Sequence, residues 1–477
     1  MGIFMQILGL LASLTFLVVT HELGHFVFAK LFKTRVEQFY AFFNPSLTDS
    51  DGKLSFSFTS GFAFIRMKRF DGKMHFSFFA RRSPAEWADH PESTEWGLGW
   101  LPLGGYCSIA GMVDETTNAD DLSPEVHDWE FRAKPAWQRF FIIIGGVLVN
   151  FLTAIIIYIL MCFTWGSDYI PLSSAKYGLE FSKEMQDAGF RNGDKVLMVD
   201  TSHPQTLGDF ANNVLLDNVK TVTVERDGET VVIDIPKDLP RKVVGAGSSS
   251  LFCNYRIPFV IDSVLAGTPA DKAGFMKGDS LVGINDSAMF CFFDFKEVFN
   301  ENKGNELQID YMRGDSLCHT LVTLDSLGNI GVGYKQPADF FEVVHVDYTF
   351  WQSIPTGVKQ GFSTLGNYVK QFKIIFTKEG ATQLGSFLTI GSIFPKVWDW
   401  YRFWSMTALL GIILAFMNII PIPGLDGGYI LFILVEMITG KKPSDKFLGV
   451  ANTIGFVLLI ALMVYALGLD FRRFIFK

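Results

Sequence analysis

The stretch His21-Glu22-Leu23-Gly24-His25 lies inside an apolar run of residues 3–28. On a helix, the two histidines lie one turn apart on one face, so both imidazoles can bind one metal ion, and Glu22 stands beside them to take a proton from water. The same five residues also occur in soluble helices, as exposed or capping histidines. Inside hydrocarbon, a charged side chain costs roughly 2.5 kcal/mol or more, and such residues are rare there without a role. The apolar setting therefore indicates a membrane-spanning helix that carries a metal-dependent hydrolytic site.

The composition is that of a membrane protein with sizeable polar portions. The chain has 477 residues, of which 49% are hydrophobic and 48 are Phe; this is too apolar for an ordinary soluble protein. The net charge is -8 and no long basic tract is present, which argues against a nucleic-acid partner. Five cysteines at positions 107, 162, 253, 291 and 318 include no CxxC pair. A metal would therefore be held by histidine and carboxylate side chains.

A second polar motif interrupts a later apolar stretch. It reads Asn418-Ile419-Ile420-Pro421-Ile422-Pro423-Gly424-Leu425-Asp426-Gly427-Gly428. The two prolines and three glycines break a helix, and non-helical backbone at membrane depth is tolerated only inside protein or beside a water-filled cavity. We interpret Asp426 as the ligand that joins His21 and His25 on one metal ion and leaves a fourth position for water or substrate. The alternative is an ordinary turn or capping residue at the interface.

Four apolar segments are long enough to cross a bilayer. Asn150, in the second of them, is the kind of polar residue that joins membrane helices by hydrogen bonding. Before the third apolar segment, apolar residues recur every three or four positions from Phe350 onward. This spacing predicts an amphipathic helix on the bilayer surface or, alternatively, a soluble helix packed on neighbouring domains. The predicted spans are residues 1–29, 139–166, 401–438 and 447–469, and the amphipathic region is 348–400.

The polar region of residues 30–138 is predicted to be rich in β-strands. Alternating segments at residues 54–58 and 74–78 accompany the turn dipeptides Asp51-Gly52 and Asp71-Gly72, which is a hairpin signal. The segment Pro102-Leu103-Gly104-Gly105-Tyr106 follows. It is either an ordinary turn or an exposed strand edge against which an extended peptide could lie.

An internal repeat follows the second span. Ala188-Gly189-Phe190 and Gly193-Asp194 recur as Ala273-Gly274-Phe275 and Gly278-Asp279, 85 residues later (273 − 188). Two copies of one small domain are therefore expected at residues 174–240 and 255–338. The pattern resembles PDZ domains, which bind chain ends by adding a strand to a sheet edge. The second copy matches more fully, so peptide termini are expected there if they bind at all.

Taken together, the sequence resembles the site-2 proteases of the bacterial regulator-of-sigma-E type, which are intramembrane zinc metalloproteases with tandem PDZ domains. The resemblance rests on the HELGH and PLGGY segments, the run at 133–139, the repeat and the NxxPxPxLDGG motif, in that order along nearly the whole chain. It implies that Zn2+ is bound by His21, His25 and Asp426. It further implies that Glu22 is the general base, that Asn418 helps to hold the substrate carbonyl, and that a membrane β-loop accepts substrate as an added strand through Leu103, Gly104, Gly105 and Tyr106.

Three features depart from that family. The second span reads Gly146-Val147-Leu148-Val149-Asn150 where family members commonly have Gly-Pro-x-x-Asn. Residues 385–391 stand where the family tends to carry a Gly-Pro-x-Gly-Ile run. The segment of residues 48–93, before the PLGGY segment, is longer than the family usually has, and the resemblance implies no role for it.

The expected fold is a multi-pass α-helical membrane protein of about four transmembrane helices, with a membrane-associated β-loop region and two extramembrane PDZ-like α+β domains. The expected activity is hydrolysis of peptide bonds within transmembrane segments of single-pass membrane proteins, such as anti-sigma factors or signal-peptide remnants. Basic residues between the first two spans and at 441–446 are expected to be cytoplasmic by the positive-inside rule. The resemblance implies a bacterial inner membrane, and the rule then places the PDZ-like pair on the periplasmic side.

Two other functions fit parts of the sequence. A catalytically silent scaffold could use the PDZ-like domains to recruit envelope proteins, but it has no need for His21, Glu22, His25 and Asp426 at membrane depth. A soluble zinc protease merely anchored by helices would require a third ligand in the polar portions, and no second HExxH sequence or nearby glutamate-bearing helix supplies one.

Overall fold

The computed structural model describes residues 2–48, 54–57, 59, 61–102, 104–112, 123–217, 219–246, 252–375, 377 and 385–475. The chain forms two compact units. The first comprises Met1–Gly166, Asp347–Phe372 and Leu384–Lys477, and the second comprises Ser167–Val346 and Lys373–Gln383.

The helices of both units, numbered in chain order, are α1 (Gly2–Leu31), α2 (Ala136–Trp165), α3 (Lys183–Asp187), α4 (Leu207–Leu216), α5 (Leu239–Gly245), α6 (Pro269–Lys272), α7 (Phe292–Glu301), α8 (Phe350–Ile375), α9 (Phe387–Ile393), α10 (Trp400–Ile419), α11 (Asp426–Thr439) and α12 (Asp445–Ile475). The strands are β1 (Val36–Tyr40), β2 (Ser46–Thr48), β3 (Leu54–Ser57), β4 (Ala63–Phe70), β5 (Lys73–Ala80), β6 (Glu95–Gly99), β7 (Tyr106–Ile109), β8 (Ser167–Tyr169), β9 (Leu179–Phe181), β10 (Lys195–Val199), β11 (Thr221–Arg226), β12 (Glu229–Asp234), β13 (Cys253–Tyr255), β14 (Phe259–Val264), β15 (Ser280–Ile284), β16 (Ser287–Ala288), β17 (Glu306–Arg313), β18 (Ser316–Thr323), β19 (Val332–Tyr334) and β20 (Val344–Val346).

Four helices of the described part of the chain are long and apolar enough to cross a membrane: α1, α2, α10 and Lys446–Arg472 of α12. Helix α2 contacts α1, α10 and α11. The contact with α1 is close because glycines meet there: a Cβ atom on Gly24 would lie 2.3 Å from the carbonyl oxygen of Gly145. Small residues let membrane helices approach in this way. The expected fold class, a multi-pass helical membrane protein with PDZ-like domains, is confirmed.

The third span ends where its prolines begin. Helix α10 stops at Ile419, and α11 begins at Asp426. Gly424 has φ +89°, a left-handed backbone that suits glycine. A Cβ on Gly427 would lie 2.1 Å from the carbonyl oxygen of Ile420, so only glycine lets the chain fold back so tightly. The predicted break therefore separates the third span from a short helix that starts with a candidate metal ligand.

The amphipathic helix α8 packs along the membrane helices. Phe350 contacts Phe163 near the end of α2, while Phe362 contacts Phe151 three turns earlier in α2. The two helices therefore run antiparallel. Farther along, Tyr368 and Phe372 of α8 contact Phe416 of α10. Part of the apolar stripe of α8 is therefore covered by neighbouring spans. The place of this helix on the bilayer surface stays a prediction.

The region between the first two spans forms a five-stranded sheet in the order β5-β4-β6-β1-β7. Strands β4 and β5 form the hairpin expected around Asp71-Gly72, whereas Asp51-Gly52 lies outside the described residues. One face of the sheet meets α1, where Phe26 contacts Phe39 of β1 and Trp96 of β6. The sheet is therefore anchored to the helix that carries the HExxH residues.

The second unit contains the two PDZ-like copies, each with its own hydrophobic core. The first copy has a sheet β10-β11-β12, and the second has β18-β17-β15-β14-β19. Corresponding residues adopt matching conformations: Asp200 and Asn285 both have φ +48°. In each copy a buried aspartate binds an arginine on a later strand, Asp194 with Arg226 and Asp279 with Arg313. The repeat in the sequence is thus a repeat of structure.

Candidate active site

Helices from opposite ends of the sequence bring three side chains together. His21 Nε2 and His25 Nε2 lie 3.2 Å apart. Asp426 Oδ2, at the start of α11, lies 3.1 Å from His21 Nε2 and 3.4 Å from His25 Nε2. The three atoms therefore form a nearly equilateral triangle at the junction of α1 and α11.

The size of this triangle fits one zinc ion. Zinc binds imidazole nitrogen and carboxylate oxygen at about 2.0–2.2 Å in tetrahedral geometry, which places neighbouring ligand atoms about 3.3–3.5 Å apart. The three observed separations are 3.1–3.4 Å. Asp426 Oδ2 is also buried without a hydrogen bond of normal geometry, although buried oxygens are usually satisfied. Both observations fit a cation bound among the three side chains.

Helix α2 sets the orientation of both imidazoles. Nδ1 of the buried His25 lies 2.9 Å from the carbonyl oxygen of Ile142. A hydrogen bond from Nδ1 leaves Nε2 with a lone pair toward the metal position. Nδ1 of His21 lies 3.4 Å from Nδ2 of Asn150, whose Oδ1 accepts a hydrogen bond from the Thr20 hydroxyl at 3.0 Å. With this amide turned over, Oδ1 would accept a hydrogen bond from His21 Nδ1 and leave Nε2 with a lone pair for a metal.

Two residues of α2 thus belong to the site although the sequence does not predict it. The sequence favours a helix-joining role for Asn150, which does contact α1 but also contacts His21. For Gly146 the sequence shows only a place within a departure from the family. A Cβ there would lie 2.5 Å from His25 Nε2 and 2.8 Å from His21 Cε1. The available signal was a glycine pair one turn before a polar residue inside an apolar span, which is typical of a close helix crossing.

The two candidate catalytic residues are close in sequence to the three candidate metal ligands. Glu22 follows His21 on α1 and is half-buried. Asn418 is half-buried in the last turn of α10, directly before the break that leads to Asp426. Their roles in catalysis remain predictions.

The predicted substrate-binding residues lie at one edge of the five-stranded sheet. Strand β7 pairs with β1 on one side and is the outer strand. It contacts α1, and its residues Cys107 and Ile109 share a hydrophobic cluster with Tyr429 and Ile430 of α11. The sheet edge therefore lies beside both helices that carry the candidate metal ligands.

Individual residues of the PLGGY segment have local structural explanations. Cβ atoms on Gly104 and Gly105 would lie 2.3 Å from the Phe43 ring and 2.5 Å from the Tyr40 carbonyl oxygen, respectively. The Tyr106 ring is buried, stacks on Tyr40 with centroids 4.9 Å apart, and its hydroxyl lies 3.1 Å from Asn44 Oδ1. Tyr106 could thus meet a substrate only through its backbone. Leu103 lies outside the described residues.

A second group of potential metal ligands belongs to the PDZ-like pair. Glu180, Cys291 and Asp294 lie close together, but Arg256 already sits between the carboxylates. Its guanidinium binds Glu180, and Nη2 lies 3.0 Å from Asp294 Oδ2. Burial raises the pKa of Glu180 to about 7, although Arg256 opposes this shift. We interpret the group as an ion-pair network that joins the two copies.

The sequence matches a known protein family and several named proteins. A sequence profile of peptidase family M50 matches residues 9–88 and 83–462. The chain is 25% identical to the regulator of sigma-E protease RseP of Escherichia coli, over 97% of each chain. It is 23% identical to metalloprotease MmpA of Caulobacter vibrioides, over 100% of this chain and 98% of that one. It is also 23% identical to a "Putative zinc metalloprotease" of Rickettsia conorii, over 98% and 99%.

Among solved structures, a PDZ domain of an SdrC-like protein from Listeria monocytogenes matches 18% of this chain and 94% of its own length, at 22% identity and a TM-score of 0.16. The family profile covers most of the chain, including both histidines and the aspartate of the triangle. The chain belongs to peptidase family M50, the site-2 protease family.

Proposed function

We propose that this protein is an intramembrane zinc endopeptidase that cuts the transmembrane segments of single-pass membrane proteins. One observation carries the proposal: His21 Nε2, His25 Nε2 and Asp426 Oδ2 lie 3.1–3.4 Å from one another. The histidines belong to a candidate membrane span, and the aspartate begins the short helix that follows another. Membership of a peptidase family supports the reaction class, and the name of one relative supports zinc as the metal.

Each side chain has a proposed role. His21, His25 and Asp426 would hold the zinc ion, and Asn150 and the Ile142 carbonyl orient the imidazoles. When bound, zinc would act as a Lewis acid that lowers the pKa of its bound water toward about 7 and polarises a carbonyl group. Glu22 accepts a proton from the attacking water and returns it to the leaving amine. Asn418 donates a hydrogen bond to the substrate carbonyl oxygen as negative charge develops on it.

The sheet edge supports an extended substrate. A transmembrane helix satisfies its own backbone hydrogen bonds, so the segment must unwind before attack, and bare backbone groups in hydrocarbon are costly. An outer strand such as β7 offers backbone donors and acceptors on its open side. We propose that the unwound segment pairs there, next to α1 and α11. Gly104, Gly105 and Tyr106 would then act by shaping the strand more than by touching substrate side chains.

The proposed location is a bacterial inner membrane, with the PDZ-like pair on the periplasmic side. The named relatives are bacterial, and the basic residues cluster between the first two spans and after α11. We further propose that the second PDZ-like copy, rather than the first, binds peptide termini. The alternative, a silent scaffold, gives no reason for ligand atoms arranged at zinc-binding separations.

Replacing Glu22 tests the proposal directly. Wild-type protein and Glu22→Gln are reconstituted separately with a tagged single-pass membrane protein, and fragments are identified by mass spectrometry. Glu229→Gln makes the same chemical change at an exposed position of β12 and serves as the control. We expect cuts inside the transmembrane segment with wild type and Glu229→Gln, and none with Glu22→Gln. Equal fragments from all three proteins, or cuts confined to the segments outside the bilayer, would contradict the proposal.

A further inference from the structure

The β4–β5 hairpin has its charged side inward and its apolar side outward. On β4, Arg66 and Lys68 are only 3% and 7% exposed. On β5, Met74, Phe76 and Phe78 are 45%, 55% and 59% exposed. A half-buried sheet in water shows the opposite arrangement, with apolar side chains inside and charges outside. The hairpin lies within residues 48–93, the segment to which the sequence assigned no role.

Both inward charged groups have hydrogen-bond partners inside the sheet region, and this pairing fixes the orientation of the hairpin. Arg66 Nη1 lies 2.9 Å from Glu95 Oε1 and 2.6 Å from the Tyr40 hydroxyl. Lys68 Nζ donates to the Trp87 carbonyl oxygen at 2.9 Å. Turning the hairpin over would leave these groups unpaired and bury the rings instead. The strand pairing and the buried charges therefore fix the aromatic side chains on the exposed face of the sheet.

The exposed face continues a face that already contacts a membrane helix. Across the strands, Phe39 pairs with Trp96, Trp96 with Met67, and Met67 with Phe76. Residues paired directly across a sheet lie on the same face. Phe26 of the spanning helix α1 covers the first two of these side chains. With strands about 4.8 Å apart, Phe76 lies two strands, or roughly 10 Å, beyond Trp96, and the face there is uncovered.

The rim of the hairpin is basic. The exposed residues at its ends are Arg69, Lys73, Arg81 and Arg82, against one aspartate in the turn, Asp71. Aromatic rings beside lysine and arginine are the side chains that favour the lipid–water interface, where the bases meet anionic headgroups. Phe62, Phe64 and Phe79 add a second aromatic cluster at one end of the hairpin.

We propose that the outer face of the β4–β5 hairpin inserts into the lipid–water interface of the bilayer that α1 crosses. The occupant of the face is thus phospholipid, with acyl chains against Met74, Phe76 and Phe78 and anionic headgroups at the basic rim. The hairpin fixes the height and tilt of the sheet, whose opposite edge is β7. This membrane contact does not depend on the proposed peptidase activity.

Photolabelling of the full-length wild-type protein tests the contact. The purified protein is reconstituted into vesicles of phosphatidylethanolamine and phosphatidylglycerol that contain a phospholipid with a photoreactive diazirine in its acyl chain. After irradiation, trypsin releases residues 74–81, which contain β5, and 314–335, which contain β18 of the second PDZ-like copy. The second peptide is a matched control, because Leu321 on β18 is 59% exposed, as Phe78 is, and β18 is also an outer strand.

We expect strong lipid labelling of residues 74–81 and background labelling of 314–335. The double variant Phe76→Ser with Phe78→Ser should reduce labelling of its own peptide at least severalfold while leaving labelling of the spanning helices unchanged. Wild-type labelling of 74–81 no higher than that of 314–335 would overturn the proposal. So would a Phe78→Cys variant that forms a disulfide-linked dimer in these vesicles, because the face would then belong to a second copy of the chain.

Discussion

Nδ1 of His25 on α1 lies 2.9 Å from the carbonyl oxygen of Ile142 on α2. One turn farther along α2, Gly146 faces the other nitrogen of the same ring, Nε2, at a distance that leaves no room for a Cβ atom. The second span therefore both orients the imidazole and limits its position. The metal-binding geometry of the first span depends on this crossing with the second.

Gly146→Ala should disrupt the metal site. The added methyl carbon would lie 2.5 Å from His25 Nε2, so the ring or the helix must shift. We expect zinc affinity and cleavage rate to fall at least about tenfold, within the range for lost support of a metal ligand. Gly366→Ala on α8 is the control, since its Cβ would meet nothing within 4 Å. Wild-type zinc affinity in Gly146→Ala would show that the helices are not held this closely.

Asn150→Ala should weaken the site in a milder way. It removes the amide next to His21 Nδ1 without adding bulk, and second partners of metal-bound histidines typically contribute roughly 10–100-fold in affinity or activity. Thr20→Val removes only the hydroxyl that contacts this amide, and it should have a smaller effect in the same direction. Zinc titration with a competing chelator measures both variants. An unchanged affinity in Asn150→Ala would mean that the residue only joins the helices.

Some of these features could be predicted from local patterns and others could not. The HExxH spacing, the proline break and the 85-residue repeat are local, and each predicts its element without knowledge of neighbours. Asn150 lies 129 residues from His21 in the sequence (150 − 21). The residues next to Asn150 in the sequence do not indicate which helix its side chain contacts. The same limit applies to α8, whose apolar stripe is compatible with lipid or with spans. The orientation of the β4–β5 hairpin cannot be predicted in this way, because strand alternation predicts two faces but does not say which one is buried.

Removing the PDZ-like pair should speed cleavage of a bulky substrate. Tyr169 of β8 and Val344 of β20 are paired across a two-stranded sheet, so residues 170–343 can be replaced by an Asn-Gly turn that keeps this pairing. Because the pair lies in the chain between the second span and α8, we expect it to act as a size filter for folded ectodomains. The shortened protein should then cut a substrate with an intact folded ectodomain faster than wild type does. A substrate trimmed to its transmembrane segment should be cut equally by both. An unchanged rate on the bulky substrate, with normal cleavage of the trimmed one, would show that the PDZ-like pair is not a size filter.

Cysteine labelling in spheroplasts should place the two polar regions on opposite sides of the membrane. In a Cys318→Ser background the four remaining native cysteines are buried. Asp227→Cys, in a turn of the first PDZ-like copy, should react with an impermeant thiol reagent in intact spheroplasts. Asp128→Cys, before α2, should react only after lysis, because the positive-inside rule places that basic region in the cytoplasm. The reverse pattern would invert the proposed orientation.

The most direct test of the account is the zinc content of two variants that lie eight residues apart, Asp426→Ala and Asn418→Ala. Asp426 offers an anionic oxygen within 3.1 and 3.4 Å of both histidine nitrogens, whereas Asn418 is neutral and suited to donating one hydrogen bond to the substrate carbonyl. Loss of one such donor typically costs on the order of 10² to 10³ in rate. Metal analysis of the purified proteins should find zinc lost from Asp426→Ala together with activity. It should find near-stoichiometric zinc in Asn418→Ala with steeply reduced cleavage. Full zinc in Asp426→Ala would contradict the central claim that His21, His25 and Asp426 form one metal site.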